Sequence, residues 1–198
     1  SLIVGIYAVQ NANVSISGDI SYERPIVPLD FIFEETSSNT GEVIDYIGTD
    51  RNIVIPSSYS IAIVDGEEVF IEGDDYTVTA IADGLLDTGV FYGDNITSVV
   101  FPDTLERIGD FAFFNVTTLT TINLGDNLVE IGAAAFYNCS NLTGEIVFPS
   151  SLRTIVDTAF YNCSSLSGNL TFPTGLTSLG ANAFYNCSSL TGNLSFPS

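Results

Sequence analysis

One repeated phrase limits what this chain can fold into more than any other feature. LVEIGAAAFYNCSNLTGEIVFPSS from Leu128, LRTIVDTAFYNCSSLSGNLTFPTG from Leu152 and LTSLGANAFYNCSSLTGNLSFPS from Leu176 superpose at a period of 24 residues. LERIGDFAFFNVTTLTTINLGDN from Leu105 is a fourth copy, one residue shorter, with Val116 in the cysteine position. An imperfect copy precedes it, with Val78 and Ile81 at its opening and Ile96 and Phe101-Pro102 at its close. Ile53-Val-Ile-Pro56 reads as the close of a still more degenerate unit. Self-similarity at a fixed period of this length is the signature of a stacked repeat architecture.

The apolar positions of one unit explain why it must stack. In the unit from Leu152 they are Leu152, Ile155, Ala159, Phe160, Cys163, Leu166, Leu170 and Phe172. Their uneven spacing fits neither a long helix nor a long strand, and suits a coil that turns back on itself with these side chains inward. Burying so few apolar groups falls short of the entropy lost on ordering the unit, so one unit cannot fold alone. Neighbours that share burial and backbone hydrogen bonds solve the problem. Gly168-Asn-Leu-Thr-Phe172 alternates and is closed by Pro173, which predicts a short strand with Leu170 and Phe172 inward. Leu152–Ile155 predicts a second, shorter strand. Between them AFYNCSSL predicts one helical or 3₁₀ turn, then a turn through Asn-Cys-Ser.

The phrase L-x-x-I-x-x-x-A-F-Y-N-C-S-x-L-x-G-x-L-x-F-P resembles the BspA-like leucine-rich repeat. The resemblance covers residues 105–198 closely and residues from about 44 more loosely, where Asp45–Pro56 is similar to the opening segment of such arrays. The departures are Val116 for cysteine, Gly125 for proline and an insertion at Leu85–Tyr92. The resemblance implies an α/β repeat: a right-handed leucine-rich-repeat solenoid with short strands and 3₁₀ or helical turns, a concave sheet, and a β-rich segment before it. It also implies a bacterial or protist surface or secreted protein that binds host or matrix components, with no catalytic site. Three regions follow: an apolar, β-rich segment over 1–43, an acidic region with degenerate repeats over 44–104, and the regular repeats over 105–198.

Charge and residue usage exclude several functions. The chain of 198 residues carries 24 acids, four arginines and neither lysine nor histidine, a net charge of −20. Nucleic acid and anionic membranes are excluded as partners, because binding phosphate needs basic residues. Without histidine there is no Ser-His-Asp or Cys-His mechanism and no His-metal site. Eighteen of the acids fall in residues 1–104 and six in residues 105–198, which marks a break near residue 104.

Three groups of residues invite a chemical reading. Cys139, Cys163 and Cys187 recur every 24 residues and are expected as a row of buried free thiols. One cysteine per unit does not build a zinc site, and Val116 fills the same slot. Asn115, Asn138, Asn162 and Asn186 fall at one phase and are expected as a polar ladder satisfying turn backbone. That ladder is a simpler account than glycosylation of the nine Asn-x-Ser/Thr triplets, Asn13, Asn95, Asn141, Asn169 and Asn193 among them. The acids of Asp65–Asp75 offer oxygen ligands for calcium, but Gly66 and Gly73 give them the look of a solvated hairpin. No catalytic residue, metal site or cofactor is expected.

Binding is expected on the outward positions of the predicted strands, above all Glu145, Val147, Asn169, Thr171, Asn193 and Ser195, preceded by Ser98, Val100, Thr121 and Asn123. This row of small, mostly polar groups has the default of a hydrated face and lacks the Tyr, Trp and Arg anchors of a binding hot spot. The expected partner is an extracellular protein or matrix component, met through weak, repeated contacts. Leu2–Val9 is too short to cross a bilayer and reads either as the remnant of a signal peptide or as a buried strand continued by Val14-Ser-Ile16. Ser198 falls where a further repeat would begin, so self-association through an uncapped end is the alternative from a different class, that of a structural, self-assembling subunit.

Overall fold

The computed structural model describes residues 30–37, 39–64, 67–84, 89–91 and 95–195. The apolar run at the N-terminus, Asn13 and the Asp65-Gly66 pair lie outside them. Alternating apolar residues start the fold with a hairpin of β1 (Phe31–Ser37) and β2 (Thr40–Tyr46). After β3 (Asn52–Val54) comes a second antiparallel pair, β4 (Ser58–Val64) and β5 (Glu67–Ile81). The repeats then supply β6 (Ser98–Val100), β7 (Arg107–Ile108), β8 (Thr121–Asn123), β9 (Glu130–Ile131) and β10 (Thr154–Ile155). The last are β11 (Leu170–Thr171), β12 (Ser178–Leu179) and β13 (Leu194–Ser195). No helix of the described residues is long and apolar enough to cross a membrane.

The opening L-x-x-I of each unit builds the longer sheet, in the order β1-β2-β5-β7-β9-β10-β12, with β4 also on β5. Its strands run parallel from β2 onward. Val43, Ile81, Ile108, Ile131, Ile155 and Leu179 share one register row, and all but Leu179 are buried. The closing strand of each unit builds the opposite side, where β3-β6-β8 and β11-β13 form two separate parallel sheets.

The division between these two sheets coincides with the change of unit length. Leu119-Thr-Thr-Ile122 becomes Leu142-Thr-Gly-Glu-Ile146, so the longer units gain one residue just before the strand. Gly144 and Gly168 absorb it with φ of 79° and 91°, a conformation that glycine adopts without a Cβ clash. Residues 145–148 belong to neither sheet, and an isolated bridge between Gly144 and Leu166 is the link there.

Among the described residues the helical or 3₁₀ turns expected between the strands are not found, and the backbone gives the reason. Ala112 N–H donates to the Gly109 carbonyl, Phe114 to Phe111 and Val116 to Phe113, a chain of tight turns. Phe111 and Asn115 carry φ of 57° and 60°, and the pairs Ala134 with Asn138, Thr158 with Asn162, and Asn182 with Asn186 repeat this. A left-handed residue at every fourth position ends each turn before a helix can propagate. Alternate N–H groups are thereby released to the next unit. Phe113, Phe136 and Phe160 donate to the carbonyls of Ala135, Ala159 and Ala183 at 2.7–2.8 Å.

The interior is a set of rows running along the stack. Phe91, Phe113, Phe136, Phe160 and Phe184 stack face to face, with centroids 4.4 Å apart for the first pair and 5.1 Å for the others. Every apolar position expected inward in the unit from Leu152 is buried. Phe91 heads the row from within the insertion, with Val90-Phe91 in the place of Ala-Phe, a match the irregular spacing of that copy hides. Phe114, Tyr137, Tyr161 and Tyr185 form a second stacked row nearer the surface. At the N-terminal end Tyr59 lies between Phe33 and Tyr76, and a Cβ on Gly41 would overlap its hydroxyl.

Candidate functional site

The strand that closes each unit positions the outward side chains. The residue before proline points inward, as Ile55, Phe101, Phe148 and Phe172 do, so the residue before that points out. These outward residues are Val54, Val100, Val147 and Thr171, with Ser195 in register beside Thr171. Val147 is 80% exposed and Val54 66%, the two largest exposures among the described large apolar residues. Two residues earlier comes a polar row of Asn52, Ser98 and Thr121 in register, then Glu145, Asn169 and Asn193.

The six residues expected to carry binding are placed in two groups. Asn169 and Thr171 meet Asn193 and Ser195: the Asn169 Oδ1 accepts the Asn193 N–H at 3.0 Å, and Thr171 pairs with Ser195 in register. Glu145 and Val147 sit exposed on the segment between the two sheets and pair with neither group. At the other end Asn52 Oδ1 accepts the hydroxyls of Thr97 and Ser98 at 2.9 and 2.8 Å, and Arg51 Nε donates to the Asn95 carbonyl at 3.0 Å. Val54 and Asn52 are the outward residues that reading the sequence missed. Their signal was the same offsets of two and four from a proline, Pro56.

The opposite sheet carries the charge. Arg107 donates to Asp83 at 2.6 Å and to Glu130 at 3.0 Å, with Asp110 at 3.8 Å. Partial burial works against its charge, but these hydrogen bonds and the attraction to both acids outweigh burial and hold its pKa above the ordinary value. Burial, then the neighbouring Glu34, raises the pKa of Glu42, while Arg107 pulls the other way. Arg107, Asp83, Asp110 and Glu130 thus form one ion-pair network on this face. Among the described residues no group of three or more Cys, Asp or Glu is arranged to hold a metal. Gly73 does not make a hairpin turn: it lies within β5, where residues 72–75 bulge between Ile71, opposite Ser60, and Tyr76, opposite Tyr59.

Cys139, Cys163 and Cys187 are buried free thiols that donate to the carbonyls of Phe113, Phe136 and Phe160 at 3.1–3.2 Å. Burial pushes the Cys139 pKa up. Interaction with the neighbouring Cys187 sulfur, then burial, raises the Cys163 pKa, and the same interaction lowers that of Cys187. The asparagines form a ladder, but from side chain to side chain rather than to turn backbone as expected, each Nδ2 of Asn138, Asn162 and Asn186 donating to the Oδ1 of the unit before at 2.5 Å. Those three amides are thereby occupied.

Comparison with known proteins agrees with this geometry. Residues 85–198, more than half of the chain, match the BspA type leucine rich repeat region in six copies. None of the curated proteins compared with the sequence matches it. Among solved structures the chain is similar to a leucine-rich repeat protein of T. pallidum, with 28% identity and a TM-score of 0.67 over 83% of this chain and 68% of that one. It is similar to a leucine-rich cell surface protein of Faecalibacterium prausnitzii, with 30% identity and a TM-score of 0.66 over 90% of this chain and 44% of that one. A leucine-rich repeat protein of Bacteroides ovatus has 25% identity and a TM-score of 0.62 over 89% of this chain and 42% of its own. The chain thus spans less than half the length of the latter two. Stacked units with a phenylalanine row, an asparagine ladder and short parallel strands, together with the family match, place this chain in the BspA-type leucine-rich repeat family.

Proposed function

We propose that the units wind as a right-handed solenoid displayed outside the cell, and that its work is adhesion: binding an extracellular protein or matrix component. The binding surface is the side carrying the closing strands, which is the concave side of the solenoid. The observation that carries this reading is the row of outward valines, Val54, Val100 and Val147, lying beside the polar row of Asn52, Ser98, Thr121, Glu145, Asn169 and Asn193. Large apolar side chains left in water beside a polar row suit contact with another macromolecule, and repetition makes many weak contacts add. On the opposite sheet Arg107 is taken up by Asp83 and Glu130. The cell-surface relative in F. prausnitzii supports display outside the cell.

The test is binding of the purified chain to a panel of immobilised matrix and host-surface proteins. Three variants go alongside: Val147→Asp, Val54→Asp, and Asn169→Arg combined with Thr171→Arg. The expected result is saturable binding to at least one protein and a loss of tenfold or more in each variant, with unchanged circular dichroism. Binding untouched by all three variants would reject this face, and no binding to any member of the panel would reject adhesion.

A further inference from the structure

We propose that the partner met by the lateral face is a cationic amphipathic helix lying along the stack, across the closing strands. The proposal rests on the reading of that face as the binding surface, and adds what binds there. Val54 pairs in register with Val100, and Val100 with Asn123, while Val147 holds the same place in the unit that follows. The apolar side chains thus form one line along the stack, interrupted once by Asn123. Along it Val54 is 66%, Val100 39% and Val147 80% exposed.

The spacing of this line selects the shape of the partner. Successive units are 5.1 Å apart in the phenylalanine row. Three steps of a hydrogen-bonded stack, from Val54 to Val147, therefore come to about 15 Å. An α-helix laid along the line returns a side chain to it each turn, which makes about 16 Å over three turns. An extended strand returns one at every second residue, which makes about 20 Å over three steps. A helix keeps pace with the units, whereas a strand drifts off by a whole one. Residues i, i+4, i+7 and i+11 of the helix then meet Val54, Val100, Asn123 and Val147 in turn.

Charge selects what flanks the apolar stripe of that helix. Glu145 is exposed in the polar row on one side of the valines. Asp103 and Asp126 are exposed on the other side, just beyond the closing strands of successive units. The guanidinium groups of Arg51 and Arg153 donate to backbone carbonyls, of Asn95 in the first case and of Ser150 and Leu152 in the second. The chain has neither lysine nor histidine to offset its net charge of −20. Lysine or arginine on both flanks of the stripe complements this arrangement, and an acidic helix is repelled by it.

The experiment uses the whole chain and a fluorescent peptide of about 18 residues, with leucine at the helical spacing above and lysine on both flanks. One control peptide has the same composition with leucine and lysine alternating, and a second has glutamate in place of lysine. Saturable anisotropy is expected for the first peptide, with both controls at least tenfold weaker. The double variant Val100→Ser, Val147→Ser should also weaken the first peptide at least tenfold. The triple variant Glu145→Gln, Asp103→Asn, Asp126→Asn should flatten the dependence of binding on salt. Its asparagine at 103 keeps an acceptor for the Asp126 N–H, which Asp103 Oδ1 now accepts at 3.0 Å. Equal binding of the alternating peptide would overturn the helix, and undiminished binding to the serine variant would overturn the site. Absence of saturable binding up to about 1 mM would overturn the proposal outright. If a matrix protein is still lost with Val147→Asp and Val54→Asp while the helical peptide fails to bind, the face stands and the helix alone falls.

Discussion

Thr158 offers a direct test of the turn that replaces the expected helix. It adopts φ of 56°, a region that a β-branched residue enters only under strain. The left-handed conformation costs an L-residue about 1–2 kcal/mol relative to glycine, and asparagine tolerates it better than most. Thr158→Gly recovers that strain and loses about 0.5–1 kcal/mol to the extra freedom of glycine in the unfolded chain. The Thr158 hydroxyl bond to the Asp157 carbonyl at 2.7 Å is exposed and local, so its loss adds a few tenths at most. The net gain is roughly 0.5 kcal/mol for Gly. A similar gain is expected for Asn, the residue that Asn182 already supplies at the same phase. Thr158→Ala removes no backbone strain. A helical turn would give the opposite ranking, with Ala best and Gly about 1 kcal/mol below it. The two structures therefore differ by more than 1 kcal/mol in the Gly-minus-Ala difference, about 0.5 M in a urea midpoint at an m-value near 2 kcal/mol/M. Urea titrations of the three variants followed by circular dichroism decide the matter. Ala above Gly and Asn would refute the left-handed turn.

Three further outcomes follow from the interior. Tyr59 is fully buried and its hydroxyl has no partner among the described residues, so Tyr59→Phe should leave stability unchanged or raise it by about 1 kcal/mol in a thermal melt. Asn162 makes ladder bonds on both sides with φ of 61°, so Asn162→Ala should cost about 2–4 kcal/mol in urea unfolding. The same change at Asn115, with one ladder bond, should cost less. Burial raises the pKa of the Cys139 thiol above that of the unfolded chain. Its contribution is therefore complete below about pH 8.5 and is lost as pH rises beyond it, by about 1.4 kcal/mol per pH unit. Urea midpoints between pH 7 and pH 10 should fall, and Cys139→Val should make that fall shallower.

The sequence made some rows legible and hid others for a physical reason. In a stack a side chain that faces inward or toward its neighbour meets its own equivalent in the next unit. Phe136, Phe160 and Phe184 do so, as do the ladder asparagines. Selection of one partner then selects the other, and the period in the letters repeats the period in the energy. The inward residues, the opening strand of each unit and the thiol row could all be read from Leu105 onward on that basis. The turn could not be read. The letters AFYN suit a helical turn as well as a left-handed one, and the choice depends on where the backbone N–H groups go. In the fold they go to the neighbouring unit, a partner that no local pattern displays.

The lateral face sits at the other extreme. Val54, Val100, Asn123, Val147, Thr171 and Ser195 occupy one structural position and share no residue type beyond the three valines. They face water rather than each other, so nothing in the fold holds them to a common choice. The same freedom explains the divided sheet. One extra residue before Glu145 would be fatal in the row of Phe136, where it would shift a ring out of its stack. In the closing strand Gly144 takes it up in a left-handed turn, Phe148 still stacks on Phe172, and Val147 is left standing in solvent. A stack therefore puts its irregularity where the packing is indifferent to it. The only selection that can act on such positions comes from outside the chain, which is why the residues that break the period are the ones to test for binding.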